Sequence, residues 1–324
     1  MLEVYLFTLL ILIISLIIDL LYGELPTRIH PVVIIGRFID FFKKIFIKMN
    51  NRWSGLFVTL SVIVVCSLIL IILLKIASLN DYVNIIFSSI VLSSTFSVKM
   101  LLSTANDIKN DLNEDIEKAK QSVSYLVSRN TDELDEKFII SAAIESMTEN
   151  ITDSYIAPIF YFMIISILLI IFRSNNYFII ILIPFIYRIS NTLDAMLGYK
   201  TDELINIGFV PAKLDDILNF IPSRISSVFV ILSAFILRYD GKNAYEITKR
   251  DARKCPSPNS GYTMAPTAGA LNIQLIKKDT YILGDNTVEI NVNHISDAIK
   301  LASLSMALFT IFIISLISIF NMMI

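Results

Sequence analysis

Long runs of apolar residues are the feature that most constrains how this chain folds. Five such runs, each close to 20 residues, lie near positions 4–21, 54–76, 83–102, 155–172 and 301–320. A helix needs about 20 apolar residues to cross the hydrocarbon core of a bilayer. Helices and closed barrels satisfy every backbone hydrogen bond in lipid, and continuous apolar runs lack the alternation of barrel strands. We therefore predict an all-α fold, a polytopic integral membrane bundle of helices.

The composition agrees with a membrane protein. Hydrophobic residues make up 55% of the 324 residues and charged residues 17%, and the mean hydropathy is +0.69. Two further apolar segments, 177–187 and 225–237, are short for a full crossing, so each is tilted, re-entrant or packed inside the bundle. The net charge of −2 gives no reason to expect a nucleic-acid partner. No linker or repeat divides the chain, and we predict one integral membrane domain over 1–324.

The distribution of basic residues predicts an orientation. Residues 21–53 contain six Lys or Arg against two acidic residues, which is typical of a cytoplasmic loop. We expect this loop and the later polar helical segments to lie on the cytoplasmic side, and the chain to be a multi-pass protein of the cell membrane. Residues 32–48 are predicted to form an amphipathic helix on the membrane surface.

A cluster of carboxylates precedes the fourth apolar run. Glu145, Glu149 and Asp153 are spaced four residues apart, so on a helix they share one face, with Asn150 beside them. Like charges at this spacing repel one another, and water is scarce where the face enters an apolar run. A divalent cation or a basic partner would relieve the repulsion. A solvated helix end outside the membrane is the alternative, and we favour the functional interpretation because Asp153 directly precedes the span.

The segment between the two short apolar segments carries regularly spaced polar groups. Asn191 and Asp194 are three residues apart, and Asp215 and Asn219 are four apart, so each pair can share one helix face. The carboxylates of Asp215 and Asp216 suit Mg²⁺, which keeps several waters and bridges to substrate phosphates. A capped helix N-terminus is the alternative interpretation of this run.

The motif S-P-N-S-G at 257–261 offers small hydroxyl and amide groups and a glycine that lets the backbone approach a ligand. Basic residues just upstream would help it to hold phosphate. A structured turn with solvated basic residues explains the pattern equally well. His30 either binds a ligand or anchors a turn. The sequence contains no P-loop, no Cys/His metal motif and no Ser-His-Asp arrangement.

Taken in order, these motifs resemble the adenosylcobinamide-phosphate synthase (cobinamide synthase) family of cobalamin-biosynthesis membrane proteins. The resemblance covers nearly the whole chain and rests on D-L-L-Y-G-E-L-P-T-R-I-H-P-V-V-I-I-G-R (19–37), A-A-I-E-S-M-T-E-N-I-T-D-S-Y-I-A-P-I-F-Y (142–161), N-T-L-D-A-M-L-G-Y-K (191–200), A-K-L-D-D-I-L-N-F-I-P-S-R (212–224), and S-P-N-S-G with A-G-A-L (257–261, 268–271). The chain departs from the family pattern at Cys255, where His is usual, and at Met264, where an acidic residue is usual. It departs again at 275–277, where L-I-K replaces L-G-G.

The resemblance implies an ATP-dependent acid–amine ligase. It would join a propionate carboxylate of adenosylcobyric acid to aminopropanol phosphate, or to aminopropanol, with ATP and Mg²⁺ as cofactors. Membrane lipid and other corrinoid-pathway enzymes are the further partners that this implies. Catalytic roles would fall on Glu145, Glu149, Asp153 and Asp194. Metal binding would fall on Glu149, Asp153, Asp215 and Asp216. Substrate and nucleotide binding would fall on a larger polar set: His30, Arg37, Arg129, Asn150, Asn191, Lys200, Lys213, Asn219, Arg224, Ser257, Asn259 and Gly261.

A membrane prenyl- or phospho-transferase that depends on Mg²⁺ is the alternative function. It predicts a lipidic substrate and no ATP hydrolysis. A transporter would predict inverted repeats, and no internal repeat is visible in the sequence. For the ligase we expect residues 145–153, 191–194 and 215–224 to converge around one magnesium-nucleotide at the cytosolic end of the bundle.

Overall fold

The computed structural model of the chain describes residues 4–126, 131, 134–174 and 176–324. This part of the chain is mostly helical, which confirms the all-α, polytopic class. In chain order its helices are α1 (Val4–Tyr22), α2 (Pro31–Phe46), α3 (Arg52–Ala77), α4 (Asp81–Ser93), α5 (Lys99–Glu114), α6 (Ile116–Ser124), α7 (Glu136–Ile151), α8 (Ala157–Ile171), α9 (Phe178–Leu197), α10 (Phe209–Leu218), α11 (Phe220–Ile236), α12 (Gly241–Asp251), α13 (Gly261–Leu271) and α14 (Asn293–Met323). Strands β1 (Leu275–Lys277) and β2 (Tyr281–Leu283) form an antiparallel hairpin that the sequence did not predict.

Several helices have the length and composition of membrane spans. Among the described residues there are five, namely α1, α3, α9, α14 and the continuous helical stretch Glu136–Ile171 that contains α7 and α8. The predicted spans near 4–21, 54–76, 155–172 and 301–320 each coincide with one of these helices. The chain is therefore a multi-pass membrane protein. The side of the membrane on which each polar segment lies stays a prediction.

The predicted span near 83–102 is wrong as a single helix. α4 ends at Ser93, and α5 begins at Lys99 after a non-helical break. The hydroxyls of Ser94 and Thr95 donate to carbonyls three residues earlier, at 2.7 Å each, and such local bonds compete with continued helix. The buried carboxylate of Asp19 then accepts the amide of Val98 at 3.0 Å. A hydropathy average treats this serine-rich break as nearly neutral and does not see it.

The two short apolar segments have different outcomes. Segment 177–187 belongs to α9, whose 20 residues are enough for a full crossing. Segment 225–237 lies in α11, which reaches span length only together with α10. The chain is bent between these two helices, as in a broken span or a re-entrant loop.

The chain groups into two compact units. The first comprises Met1–Val98, Ala157–Leu218 and Phe312–Ile324, and the second comprises Lys99–Ile156 and Asn219–Ile311. Each unit has fully buried apolar side chains, such as Ile11 in the first and Ile144 in the second. The prediction of one integral domain over 1–324 stays a prediction.

In the first unit, α2 is amphipathic as the pattern of 32–48 predicts, and it packs along α3. Phe46 at the end of α2 stacks on Phe57 near the start of α3, with ring centroids 5.7 Å apart. Ile35 near the start of α2 lines an apolar cavity of about 220 Å³ together with Cys66 of α3. The two helices are therefore antiparallel. Ile35 and Ile39 of α2 are buried, whereas Phe41 and Ile45 are exposed. The placement of α2 on a membrane surface stays a prediction.

In the second unit, a buried carboxylate joins α12 to the end of the hairpin. The side chain of Asp251 is fully buried and accepts two hydrogen bonds from Arg250 at 2.8 Å and one from Lys254 at 2.6 Å. The amide of Gly284 donates to it at 2.9 Å. Gly284 has a φ of +77°, a backbone angle that residues other than glycine rarely adopt. Burial raises the pKa of Asp251, but the donors outweigh burial and lower this pKa to about 2.

We expect Asp251→Asn to lower the free energy of unfolding by about 2–3 kcal/mol, because it leaves cationic donors without their buried acceptor. The lowered pKa means that the carboxylate stabilises the fold above its ordinary pKa and loses this effect as the pH falls through about 2. In thermal unfolding in detergent, the difference in Tm between wild type and variant should thus narrow from about pH 4 to about pH 2. Glu246→Gln, on the exposed side of α12, is the control. A constant difference over that range would contradict the assigned charge state.

Candidate active site

The predicted site residues are found in both compact units. The first unit holds His30, Arg37, Asn191, Asp194, Lys200, Lys213, Asp215 and Asp216. The second unit holds Glu145, Glu149, Asn150, Asp153, Asn219, Arg224, Ser257, Asn259 and Gly261. Arg129 lies outside the described residues. The convergence of all these residues on one magnesium-nucleotide stays a prediction.

Glu145 is the most enclosed of the three clustered acids, with 4% of its surface exposed. Its two carboxylate oxygens have separate donors. Ser141, one turn earlier on α7, donates its hydroxyl to Oε1 at 2.6 Å, and Tyr281 donates its phenol to Oε2 at 2.8 Å. A buried carboxylate needs such donors, because an ionised group without partners in an apolar surrounding is very unfavourable.

The β hairpin delivers Tyr281 to Glu145. Tyr281 begins β2 and pairs with Lys277 of β1, and Asp279 in the connecting turn has a φ of +56°, which Asp tolerates better than most residues. The amide of Ile276 donates to the Ser141 hydroxyl at 2.8 Å and so joins β1 to α7. Sequence reasoning missed Tyr281 and Ser141. The short alternation on either side of K-D-T was a hairpin signal, but no local pattern predicts contact with a residue 136 positions away.

The Tyr281 hydroxyl lies close to the Glu145 carboxylate and to Met264. Burial and the Glu145 carboxylate raise the pKa of Tyr281 well above its ordinary value, so the phenol remains a proton donor at physiological pH. Met264 places its sulfur 3.7 Å from that hydroxyl. Burial raises the pKa of the Cys255 thiol to about 11, while a Ser260 hydrogen bond opposes this rise and the two neighbouring carboxylates of α7 add to it. Two departures from the family pattern, at 255 and 264, thus lie in one cluster.

The other two acids lie where the helix changes its winding. Glu149 is in the last turn of α7, and Asp153 is in a π-helical segment, Thr152–Ile156, that connects α7 to α8. Both are half-buried. Because a π turn holds more residues than an α turn, the four-residue spacing of one helix face ends before Asp153. Asn150 donates to the Ser146 carbonyl at 2.8 Å.

Arg224 on α11 holds the S-P-N-S-G loop. Its guanidinium donates to Asn259 Oδ1 at 2.7 Å and to the Pro258 carbonyl at 3.2 Å. It also donates to the Phe220 carbonyl at 2.8 Å and to the Ser223 hydroxyl at 3.0 Å within its own helix. Two motifs separated by 35 residues are therefore one hydrogen-bonded unit. Asn219, the residue before this helix, is buried at 2% exposure.

Aromatic rings enclose the same guanidinium. Arg224 lies 3.7 Å from the centroid of the Phe220 ring and 4.1 Å from that of Tyr262, distances at which cation–π attraction is strong. A hydrogen bond from Arg253 lowers the pKa of Tyr262, burial opposes this, and Arg224 adds to the lowering. Arg224 is thus engaged by two aromatic rings as well as by the hydrogen-bond acceptors of the loop. Its predicted contact with substrate stays a prediction.

The rest of the loop is shaped by backbone constraints. The Asn259 amide donates to the Ser257 hydroxyl at 3.2 Å, which closes a local turn. Gly261 begins α13, and a Cβ atom there would lie 2.1 Å from the carbonyl oxygen of Ala252. Close packing of two backbone segments therefore explains the glycine. Its approach to a ligand stays a prediction.

In the first unit the structure brings Asn191 and Asp215 together. The Asn191 amide donates to the Asp215 carboxylate over a long 3.4 Å, and Arg188 donates to Asn191 Oδ1 at 3.1 Å. Asp215 is 9% exposed. Asp194 follows on α9 and is half-buried, and its carbonyl accepts the amide of Gly198 at 2.7 Å. Arg188 was not among the predicted site residues, although it opens the polar segment that drew attention to this region.

The remaining residues of the first unit lie at helix ends or on exposed surface. His30 caps α2, because its Nδ1 accepts the Val32 amide at 3.2 Å. Burial lowers the pKa of His30, with Glu24 opposing this shift and Arg188 adding to it. His30 thus anchors a turn, and its ligand role stays a prediction. Lys213 pairs with Asp216 at 3.1 Å; the lysine is exposed, and so are Arg37 and Lys200.

Within the residues that the structure describes, no group of three His, Cys, Asp or Glu side chains is arranged to hold a metal ion. Magnesium bound to a nucleotide needs fewer protein ligands, since it usually takes one or two carboxylates together with phosphates and waters. The half-buried or buried oxygens of Glu149, Asp153 and Asp215 fit that chemistry. Asp216 fits it less well because Lys213 already neutralises its charge.

Comparison with known proteins identifies the family. The family profile described as CobD/Cbib protein matches residues 12–308. The chain belongs to the CobD/Cbib family. It is 44% identical over 303 residues to a probable cobalamin biosynthesis protein CobD of Methanothermobacter thermautotrophicus, covering 93% of this chain and 95% of that protein. Proteins of the same name from Methanococcus aeolicus and Methanothrix thermoacetophila are 43% and 34% identical, covering 86% and 92% of this chain and 88% and 93% of those proteins. No solved structure matches.

The CobD/Cbib match confirms the family resemblance drawn from the motifs. The matched range contains every candidate site residue, from His30 to Gly261, and also the hairpin that carries Tyr281. In this CobD/Cbib protein the candidate residues of the second unit form two sets of contacts, one around Glu145 and one around Arg224. The first unit separately has the Asn191–Asp215 contact.

We expect Arg224→Lys to loosen the S-P-N-S-G loop, because lysine keeps the charge but lacks the planar fork and the stacking surface. Backbone amides of Ser257, Asn259 and Ser260 should exchange with deuterium about tenfold faster, which corresponds to about 1.4 kcal/mol of local stability. Arg238→Lys, at an exposed arginine of the same unit, is the matched control and should leave exchange unchanged. Equal protection of the loop in both variants would contradict the role of Arg224 as its anchor.

Proposed function

We propose that the chain is adenosylcobinamide-phosphate synthase, an ATP-dependent amide ligase of cobalamin biosynthesis. It joins a propionate carboxylate of adenosylcobyric acid to the amine of aminopropanol phosphate or aminopropanol. Membership of a family whose members include probable cobalamin biosynthesis proteins supports a step at the corrin side chain. The enclosed Glu145 carboxylate, with one donor on each oxygen, is the structural observation that carries the proposal.

The chemistry explains why ATP is needed. A carboxylate resists attack by an amine because its carbonyl carbon is electron-rich and oxide is a poor leaving group. In the proposed reaction the carboxylate attacks the γ-phosphorus of ATP, forming an acyl phosphate and releasing ADP. The amine nitrogen then bonds to the acyl carbon, and inorganic phosphate leaves with the electrons of the broken C–O bond. The incoming ammonium must lose a proton before it can attack.

We propose that Glu145 accepts that proton. Tyr281 and Ser141 hold its two oxygens in place, and a positioned base of this kind typically contributes about 10²–10⁴-fold to a rate. Asp194 is the second candidate from the sequence. Mg²⁺, held by Glu149, Asp153, Asp215 or Asp216, would neutralise charge on the nucleotide phosphates. The basic side chains of Arg37, Arg129, Lys200 and Lys213 would bind phosphate. The side-chain amides of Asn150, Asn191 and Asn219 would orient ligands.

The membrane supplies the setting for a large, partly apolar substrate. The chain is multi-pass, and we propose that it lies in the cell membrane with its polar segments and active site facing the cytoplasm, where ATP is available. The corrin ring would rest against the membrane-facing end of the helices. The alternative function from the sequence is a membrane transferase. It requires a lipidic substrate and no nucleotide hydrolysis, so measuring nucleotide hydrolysis separates the two functions.

A strain that lacks the gene tests the reaction. We expect its growth to be restored by cobinamide, which lies after the proposed step, and not by cobyric acid, which lies before it. The measurement is growth under corrinoid dependence, with the wild-type gene returned on a plasmid as the control. Rescue by both compounds would rule out this ligase activity.

A conservative change at the hairpin tests the proton-accepting site. Tyr281→Phe removes one donor to the Glu145 carboxylate while keeping the ring. Since that donor holds one oxygen of the carboxylate in position, we expect turnover at neutral pH to fall by about tenfold. Glu145→Gln should lower turnover by about 10²-fold or more. Unchanged turnover in both variants, with normal membrane yield, would remove Glu145 from the reaction.

A further inference from the structure

A cavity of about 410 Å³ lies within the second unit, next to the wall that holds Glu145. Its sides come from the first two turns of α7, from β1 with the residue before it, and from residues 286–290. The volume is in the range of small-molecule sites. Nothing in the proposed roles above uses this cavity, and most of the side chains that line it are polar.

The lining offers hydrogen bonds from two directions. Gln274, Asn286 and Thr287 contribute amide and hydroxyl groups from the β1 end and from the segment after β2. Ser141 contributes a hydroxyl from α7. Groups of these types can both donate and accept. A small ligand with hydroxyl and amine groups would be matched here, whereas a purely apolar ligand would leave the lining without partners.

The charges of the lining favour a cation. Two carboxylates, Asp135 and Glu289, line the cavity against one ammonium, Lys137, which is already paired with Glu289. The pKa of Glu289 is lowered by its bond with Lys137, so Glu289 carries its charge at neutral pH. One face of the Phe138 ring is occupied by the Lys278 ammonium, which lies 4.6 Å from the ring centroid.

Ser141 joins the cavity to Glu145. Only 2% of Ser141 is exposed, yet it lines the cavity and donates its proton to Glu145 Oε1 at 2.6 Å. Its oxygen accepts the Ile276 amide at 2.8 Å and has a second lone pair for one more donor. A ligand N–H group in the cavity that fills this lone pair would be one hydroxyl away from a buried carboxylate.

We propose that this cavity binds the primary ammonium end of the amine substrate, with Ser141 as the group that connects it to Glu145. The inference rests on the proposed function, because it places the amine of that reaction. The ammonium gives one proton to Ser141 Oγ while Ser141 passes its own proton to Glu145 Oε1. The result is a neutral amine with a free electron pair and a protonated Glu145, so charge and atoms balance. Tyr281 keeps its bond to the other oxygen.

The binding experiment uses the full chain in detergent and isothermal titration calorimetry. The probes are 1-amino-2-propanol and, separately, its phosphate ester. The variant is Asp135→Asn with Glu289→Gln. Asn retains the N-cap that Asp135 provides to α7 through the Phe138 amide, and Glu289 is exposed, so the fold should be kept. We expect the Kd of the bound amine to rise about tenfold or more in this variant.

Two further variants separate binding from proton transfer. Glu246→Gln removes an exposed carboxylate of the same unit outside the cavity and should leave the Kd within about twofold. Ser141→Ala should change the Kd by less than about threefold but lower turnover by about tenfold. A merely structural role of Ser141 would lower yield or stability and leave the turnover of the folded protein unchanged.

The outcomes distinguish this inference from the function on which it rests. An unchanged Kd in the double variant, or no binding of either probe to the wild type, overturns the cavity assignment even if amide formation is measured. Loss of affinity in the double variant with no amide product from wild type supports the cavity and overturns the ligase. Tighter binding of the ester than of the free amino alcohol identifies the phosphorylated amine as the ligand, and the reverse identifies the alcohol.

Discussion

The requirement that a buried carboxylate have partners organises the second unit. Glu145 lies on a helical stretch that is long and apolar enough to cross a membrane, and an ionised group in such a place needs hydrogen-bond donors. Ser141 supplies one from the preceding turn of α7. The other comes from Tyr281, which can reach Glu145 only because a two-stranded hairpin folds back onto α7. The hairpin in turn is attached by the Ile276 amide to the same serine. Two hydrogen bonds, one to Glu145 and one to Ser141, thus attach the small sheet to α7.

A second constraint, the planar guanidinium of Arg224, shapes the loop that carries the S-P-N-S-G motif. That loop contains two prolines, Pro256 and Pro258, which cannot donate backbone hydrogen bonds. Its order therefore depends on donors from elsewhere. Arg224 provides them to Asn259 and to the Pro258 carbonyl. Lysine could not make the same set, because its single ammonium has neither the fork nor the flat faces that the aromatic rings cover. A sequence motif that suggests ligand binding can therefore also have a structural role in fixing the conformation of a loop.

The sequence predicted what depends on local pattern. Runs of apolar residues located α1 and α3, because twenty lipid-compatible residues in a row leave few alternatives to a helix. The run at 83–102 failed for an equally local reason: hydroxyls near Ser94 return hydrogen bonds to their own helix, and hydropathy does not register them. Contacts between residues far apart in the sequence could not be predicted. Glu145 was identified by its spacing from Glu149, yet its partner Tyr281 lies 136 residues further along. No periodic pattern in a single sequence predicts a contact between two such distant residues.

The cluster around Tyr281 also decides which group can accept a proton. Cys255 is a nucleophile in principle, but with a pKa of about 11 only roughly one thiol in ten thousand is ionised at pH 7. Met264 carries no titratable proton, and Tyr281 stays protonated. In the proposed reaction the base is therefore a carboxylate, and both oxygens of Glu145 accept hydrogen bonds from protein donors. Cys255 and Met264, at positions where the resemblance implies a histidine and an acid, add no ionised group next to the Tyr281 hydroxyl. The hydrogen bonds from Ser141 and Tyr281 hold that carboxylate in a defined orientation.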